Sequence, residues 1–353
     1  METRVAGKPL HPPSVAFEDG RLVLIDQTLL PGELSFLRID TPEETAEAIK
    51  RLAVRGAMAI AVAGAYGVLL GAMRDEADPA AGARAAAHLI DASRPTARNL
   101  FWALERMEKV TETCAGGDLI ARLKKEADAI AIETIGTNKR LVEHGQELVP
   151  EGARVLTHCN SGPLAALVYG TAVGILIEAY QREKGIEVFV DETRPLLQGA
   201  RLTCWELGAY GVPYTLIPDN TAGWLMAKKR IDMVITGADR IASNGDSANK
   251  IGTYSAATLA AAHNIPFYIA APLSTVDLAC IAGESITIEE RNGDEVRRFG
   301  GTLVAPEDAP VFNPAFDVTP ATLIEAIVTE EGICRPPYTE SLPEAVRRAG
   351  GEA

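Results

Sequence analysis

Residues 153–162 read ARVLTHCNSG, an apolar run that stops on a cysteine and continues into small polar residues and a glycine. The run is short and does not alternate, so it reads as a strand buried on both faces. The same signature recurs in IEVFVDE (186–192), PYTLIPD (213–219), MVITGAD (233–239) and PFYIAAP (266–272), each closed by polar or turn residues. The stretches between them, such as LLQGARLTCWELGAYG (196–211) and TAGWLMAKKR (221–230), are long enough for crossover helices. Strands that alternate with helices predict an α/β architecture around a parallel sheet covered on both sides.

Upstream of Pro150 the character differs. RLVLIDQTLLPGELSFLRI (21–39) reads as two short strands around the Pro31-Gly32 turn. In TPEETAEAIKRLAVRGA (41–57), Thr41 and Glu44 form a capping box and Pro42 suits the first helical position. In DASRPTARNLFWALERMEKV (91–110), Leu100, Leu104 and Met107 fall on one helical face, and a charged amphipathic helix follows around 118–148. The uncharged stretch GAMAIAVAGAYGVLLGAM (56–73) matches a bilayer span in length. It is rich in Ala and Gly rather than Leu and Ile, so it reads as a helix buried all round in a tightly packed domain. The 353 residues therefore divide into a mostly helical domain with a small β-element, 1–149, and a parallel-sheet domain, 150–353.

A net charge of −14 argues against nucleic acid or an anionic membrane as partner. The five cysteines are scattered without a C-x-x-C pair, as are the five histidines. This fits a reducing compartment and no zinc site, and the N-terminal METRVAGKPLHPPS lacks an apolar signal core. The expectation is a soluble, cytoplasmic protein.

Ligands of open parallel sheets bind beyond the carboxyl ends of the strands. Here those ends read Cys159-Asn160-Ser161-Gly162, Asp191-Glu192-Thr193-Arg194, Asp219-Asn220, Gly237-Ala238-Asp239-Arg240 and Ala271-Pro272. No G-x-G-x-x-G follows a strand, GTAVG at 170–174 lies in a helical pattern, and no P-loop is present. Cys159 is either a small buried apolar residue or a reactive thiol, and Asp239 either a cap or an acid. His158, next to Cys159 on a strand, points to the opposite face and is a poor base for that thiol. GADRIASNGDSANKIG (237–252) reads as a long loop that does not match a calcium loop. Arg55 before the Gly/Ala helix, Arg94 before the next helix and Lys250 at the close of the Asp239 loop together suggest an anionic ligand such as phosphate.

Seven stretches, in order, resemble the methylthioribose-1-phosphate isomerases. They are DQTLLPGEL (26–34), VRGAMAIAVAGAYG (54–67), SRPTARNLFWAL (93–104), LTHCNSGPLA (156–165), DETRPLLQGARLTCWEL (191–207), DNTAG (219–223) and GADRIASNGDSANKIGTY (237–254). That family shares a wider group with the regulatory subunits of initiation factor 2B and the ribose-1,5-bisphosphate isomerases. The resemblance implies a helical N-terminal domain, a Rossmann-like C-terminal domain and a homodimer. It also implies conversion of 5-methylthioribose 1-phosphate to 5-methylthioribulose 1-phosphate in methionine salvage, without metal or organic cofactor. On the matching positions the catalytic cysteine and aspartate are Cys159 and Asp239. The substrate-binding residues are Arg55, Gly56, Ala57, Arg94, Gln198, Asn249 and Lys250. Where the pattern has proline after Arg-Gly-Ala, this chain has Met58, which restores a backbone N–H beside the expected phosphate site. Because C1 of the substrate is a phosphorylated acetal, an acid must protonate the ring oxygen before hydrogen moves from C2 to C1. Asp239, protonated in a water-poor pocket, is the expected acid, and Cys159 the relay or charge stabiliser. The competing expectations are another pentose 1-phosphate (ribose 1,5-bisphosphate or 5-deoxyribose 1-phosphate) and a non-catalytic regulatory subunit.

Overall fold

Thr41 begins the first helix as the sequence predicts. In the computed structural model its hydroxyl accepts the Glu44 amide at 3.0 Å, while the Glu44 carboxylate accepts the Thr41 amide at 3.1 Å. This capping box opens α1 (Pro42–Lys50), with Pro42 at the first helical position. The structure describes residues 13–94, 98–114 and 118–350, together with the backbone of the short strands Arg4–Val5 and Lys8–Pro9. Contacts divide the chain into two compact units, Met1–Lys139 with Ser161–Gly170, and Arg140–Asn160 with Thr171–Ala353.

The first unit is mostly helical. α2 (Ala57–Arg74), α3 (Pro79–Asp91), α4 (Arg98–Thr113) and α5 (Leu119–Gly145) follow α1. α2 buries every residue from Met58 to Ala72, so its apolar length is spent on a protein core. Its glycines let the neighbouring helices approach. A methyl group at Gly64 would lie 2.5 Å from Leu100 Cδ1, and one at Gly71 would lie 2.5 Å from Ala86 Cβ. Leu100, Leu104 and Met107 all pack into this core, and truncating Leu100 to alanine is expected to cost about 2–5 kcal/mol. The β-element is a three-stranded antiparallel sheet, β1 (Val15–Glu18), β2 (Arg21–Ile25) and β3 (Phe36–Ile39), of which the sequence signals the last two.

The second unit is built on a seven-stranded sheet. In chain order its parallel strands are β4 (Arg154–Thr157), β5 (Glu187–Asp191), β6 (Tyr214–Ile217) and β7 (Met233–Thr236). A hairpin comes next, β8 (Arg240–Ala242) and β9 (Ser247–Lys250), and then β10 (Phe267–Ala270), which returns to the sheet. After β11 (Val276–Asp277) and β12 (Phe316–Thr319), the sheet is completed by β13 (Ala326–Thr329) and an antiparallel edge, β14 (Gly332–Cys334). The spatial order is β14-β13-β10-β7-β4-β5-β6. Numbered along the chain, the six parallel strands therefore lie 3-2-1-4-5-6 across the sheet, the Rossmann order. The central strands β7, β10 and β13 are buried at every residue, whereas the edge strand β6 exposes three of its four. After α6 (Ala172–Gln181) and α7 (Cys204–Tyr210), α8 (Ala222–Ala227), α9 (Thr253–Ala262) and α10 (Tyr338–Arg348) contribute Leu225, Ala257 and Leu342 to the core beside the sheet.

Two expectations need correction. The sequence signals five parallel strands, and the structure has six plus the antiparallel edge. Ala326–Thr329 offers only three apolar residues and a threonine, flanked by glutamates, too little for periodicity to register. The segment 237–252 is no loop, because β8 and β9 pair across the Asn244-Gly245 turn and join β11 and β12 in a second, four-stranded sheet. Its polar strand residues satisfy the ladder through the backbone, which composition does not reveal.

Candidate active site

The strand order reverses between β4 and β7, which lie side by side with Val155 opposite Met233 and Leu156 opposite Val234. Helices on the two sides of such a switch point turn away from each other and leave a crevice beyond the carboxyl ends of the two strands. The chain past β4 is His158-Cys159-Asn160, and the chain past β7 is Gly237-Ala238-Asp239. The candidate cysteine and aspartate therefore follow the two strands that flank the crevice.

Cys159 leaves the sheet in a left-handed conformation, φ +66°. That region costs a non-glycine residue about 1–3 kcal/mol and persists only where neighbours impose it. Two hydrogen bonds impose it here. The Cys159 amide donates to Thr193 Oγ1 at 2.9 Å, and its carbonyl accepts from Thr203 Oγ1 at 2.7 Å. Thr193, itself at φ +65°, also donates its hydroxyl to the Asp191 carbonyl at 3.1 Å. Asp219 closes this turn by accepting the amides of Thr193 and Arg194, both at 2.7 Å. Cys204, by contrast, sits inside a helix, and burial pushes its thiol up to about 12, as fits an inert structural cysteine.

Gln198 lies at the start of a π-helical turn, Gly199–Thr203, that leads into α7 (Cys204–Tyr210). Single π turns recur at functional sites. At Gly199 a Cβ would fall 1.8 Å from the Asp191 carbonyl oxygen, so only glycine fits against the end of β5. The Gln198 side chain is buried, and its Oε1 meets no hydrogen-bond partner among the described residues.

Asp239 is fixed through its backbone, the amide donating to the Ala248 carbonyl at 2.9 Å. Arg240 pairs with Ala248, so Asp239 and Asn249 are the next residues along the two arms of the hairpin. Arg240 in turn ion-pairs with Asp277 at the end of β11. Asn249 donates to Thr253 Oγ1 at 3.0 Å. Lys250 is buried, with its ammonium 2.7 Å from the Ala315 carbonyl and 4.8 Å from the centre of the Phe316 ring. Cys159, Gln198, Asp239, Asn249 and Lys250 thus all belong to the sheet unit and to elements at one edge of it.

Arg55, Gly56, Ala57 and Arg94 belong to the helical unit. Gly56 caps α2 without a side-chain hydrogen bond, at φ +93°, and a Cβ there would collide with Ala165 at 2.4 Å. The segment that leaves the sheet directly after Asn160 thus packs within the helical unit against Gly56. Ala57 and Met58 are the first two residues of α2, where backbone N–H groups lack helical partners and favour an anion. The Met58 thioether accepts the Asn138 side-chain amide at 3.4 Å. Arg94 follows α3, its amide bonded to the Asp91 carbonyl, and α4 starts at Arg98; Pro95–Ala97 lie outside the described residues.

One part of this edge escapes sequence reasoning. His158, Asp191 and Asp219 come from three strand ends and place a ring nitrogen and two carboxylate oxygens within 4.8 Å of one another. His158 Nδ1 lies 3.0 Å from Asp191 Oδ2, and Nε2 lies 2.9 Å from the Ile251 carbonyl. A carbonyl only accepts, so Nε2 carries a hydrogen. Burial opposes a charge on the ring, but the Asp191 hydrogen bond and the nearby negative groups overcome it and raise His158 to about 9. The expectation that His158 and Cys159 point to opposite faces of a strand needs correction, because β4 ends at Thr157 and both residues lie in the turn beyond it.

The fold and this edge define a doubly wound α/β protein with polar groups gathered at its switch point. The chain belongs to the initiation factor 2 subunit family, whose profile matches residues 53–336. It is 53% identical over 335 residues to a methylthioribose-1-phosphate isomerase of Pelotomaculum thermopropionicum, covering 93% of this chain and 92% of that protein. It is 50% identical over 347 residues to a 5-deoxyribose 1-phosphate isomerase of Moorella thermoacetica, covering 96% of this chain and 98% of that protein. The crystal structure of a 5-methylthioribose 1-phosphate isomerase from Pyrococcus horikoshii superposes with a TM-score of 0.89 at 41% identity, covering 96% of each chain.

Proposed function

We propose that this protein is an aldose–ketose isomerase that converts 5-methylthioribose 1-phosphate to 5-methylthioribulose 1-phosphate, a step of methionine salvage. The observation that carries the reading is 53% identity, over nearly the whole chain, to a relative of that activity, in a chain that keeps both a thiol and a carboxylic acid beside the switch point. Asp239 is the general acid and protonates the ring oxygen as its bond to C1 breaks. In the proton route the Cys159 thiolate takes the hydrogen from C2 and returns it to C1. The C2 hydroxyl gives its proton back to the Asp239 carboxylate as the ketone forms, so both groups end as they began. In the hydride route hydrogen passes directly from C2 to C1, and Cys159 stabilises the charge that develops. By the resemblance, Arg55, Gly56, Ala57, Arg94, Gln198, Asn249 and Lys250 are the substrate-binding residues, and their cations suit a phosphate.

The relative from Moorella keeps a second substrate in view, 5-deoxyribose 1-phosphate, which differs only in lacking the methylthio group. Purified protein offered methylthioribose 1-phosphate, 5-deoxyribose 1-phosphate and ribose 1,5-bisphosphate, and followed by phosphorus NMR, tests the reading. The expected result is the highest kcat/KM on methylthioribose 1-phosphate. Preference for either other pentose reassigns the substrate, and no turnover of any leaves the regulatory-subunit reading. The resemblance also leads us to read the protein as a cytoplasmic homodimer. Light scattering should therefore give twice the 37.5 kDa chain mass.

A further inference from the structure

We infer that His158 is a positioning residue for this reaction: its imidazole braces the backbone beside Cys159 against the strand that carries Asn249 and Lys250. The inference rests on the reading of Cys159 and Asp239 as the reacting pair.

The geometry that carries it is a chain of adjacent bonds. His158 immediately precedes Cys159, and Ile251, whose carbonyl accepts from Nε2, immediately follows Lys250. The same β9 arm holds Asp239 through the bond from the Asp239 amide to the Ala248 carbonyl. One ring therefore links the end of β4 to the hairpin that carries the acid, two elements that share no ladder pairing. Nδ1 anchors the ring to Asp191, and the Asp191 carbonyl receives the Thr193 hydroxyl that also holds the Cys159 amide.

The surroundings enclose the ring closely. His158 is only 2% exposed. Gly252 stands at φ +106°, and a Cβ there would come within 2.7 Å of His158 Cε1, so the ring occupies the space a side chain would take. Gly252 and Tyr254 donate their amides to Asp317 at 2.7 and 3.0 Å, which fixes the turn that presents the Ile251 carbonyl. The titratable groups that face the ring are Asp191, Asp219, Asp317 and Cys159. The bond to the Ile251 carbonyl needs only the hydrogen on Nε2, which the neutral tautomer also keeps, so the brace does not depend on the charge of the ring.

The test compares wild type with His158→Phe, which keeps the ring volume and loses both hydrogen bonds, and His158→Gln, whose amide nitrogen reaches toward the Ile251 carbonyl. All are assayed on 5-methylthioribose 1-phosphate after thermal unfolding has established that they fold. A displacement of the reacting pair by about 1 Å is expected to lower kcat about 100-fold in His158→Phe. kcat should fall by a larger factor than KM rises, because the reacting pair tolerates displacement less than the ground-state contacts of Asn249 and Lys250, and His158→Gln should recover part of the lost kcat. If His158→Phe does not fold, His158→Asn, whose amide falls short of Ile251, takes its place against His158→Gln with the same expectation. Folded His158→Phe with wild-type kcat overturns the inference, and so does a glutamine variant no better than phenylalanine or asparagine. Conversion by the wild type with unaffected variants removes this inference alone, whereas no conversion by the wild type removes the isomerase reading and this inference with it.

Discussion

Thr193→Val removes one oxygen atom from the turn that holds Cys159 and changes almost nothing else. Valine has the shape of threonine and the same β-branch, so the cost of holding such a residue at φ +65° is equal in both proteins and cancels. What remains is the hydroxyl, which accepts the Cys159 amide at 2.9 Å and donates to the Asp191 carbonyl at 3.1 Å in a fully buried position. The variant leaves that buried amide without its acceptor, a loss of about 1–3 kcal/mol. At roughly 2–4 °C per kcal/mol for a unit of this size, calorimetry should show the melting temperature lowered by about 2–12 °C. Cys159 then loses one of the two bonds that impose its left-handed backbone, so kcat on methylthioribose 1-phosphate should fall about tenfold or more. Thr193→Ser keeps the oxygen and should retain both melting and turnover near the wild type. A valine variant that melts within about 1 °C of wild type and turns over normally would show that this bond does not shape the site.

The buried His158–Asp191 pair makes stability depend on pH in a definite direction. His158 titrates near 9 in the folded protein and near 6.5 unfolded, so between those values the folded state holds a proton the unfolded state has released. Its contribution is complete below pH 6.5 and is lost as pH rises through about 9. Melting temperatures measured from pH 6 to 10 should fall more steeply for wild type than for His158→Phe, and parallel curves would refute the assignment. Turnover in deuterium oxide separates the two hydrogen-transfer routes. Label at C1 of the product favours a proton relay that exchanges with solvent, and its complete absence favours a hydride shift.

Much of the fold is local enough to be read directly. The Thr41–Glu44 box, the buried Gly/Ala helix, the Leu100 face and five strand signatures each depend on residues within one turn or one run. The hairpin and β13 are less legible, since β9 is a polar strand held by backbone pairing and β13 is only three apolar residues and a threonine between glutamates. The site divides in the same way. Sequence position puts Cys159 and Asp239 at strand ends, but only the order of the strands places those two ends on either side of the crevice. The left-handed turn at Cys159 and the His158 link to Asp191 and Ile251 arise from contacts 33 to 93 residues apart, which no local pattern encodes.

The central claim is that a thiol and a carboxylic acid flanking the switch point carry the reaction. It is tested most directly by turnover of methylthioribose 1-phosphate with Cys159→Ser and Asp239→Asn, each first shown to melt like the wild type. Both variants are expected to lose about 100- to 10,000-fold in kcat, the usual range for removing an acid–base group. Near-normal turnover by either folded variant would contradict the account.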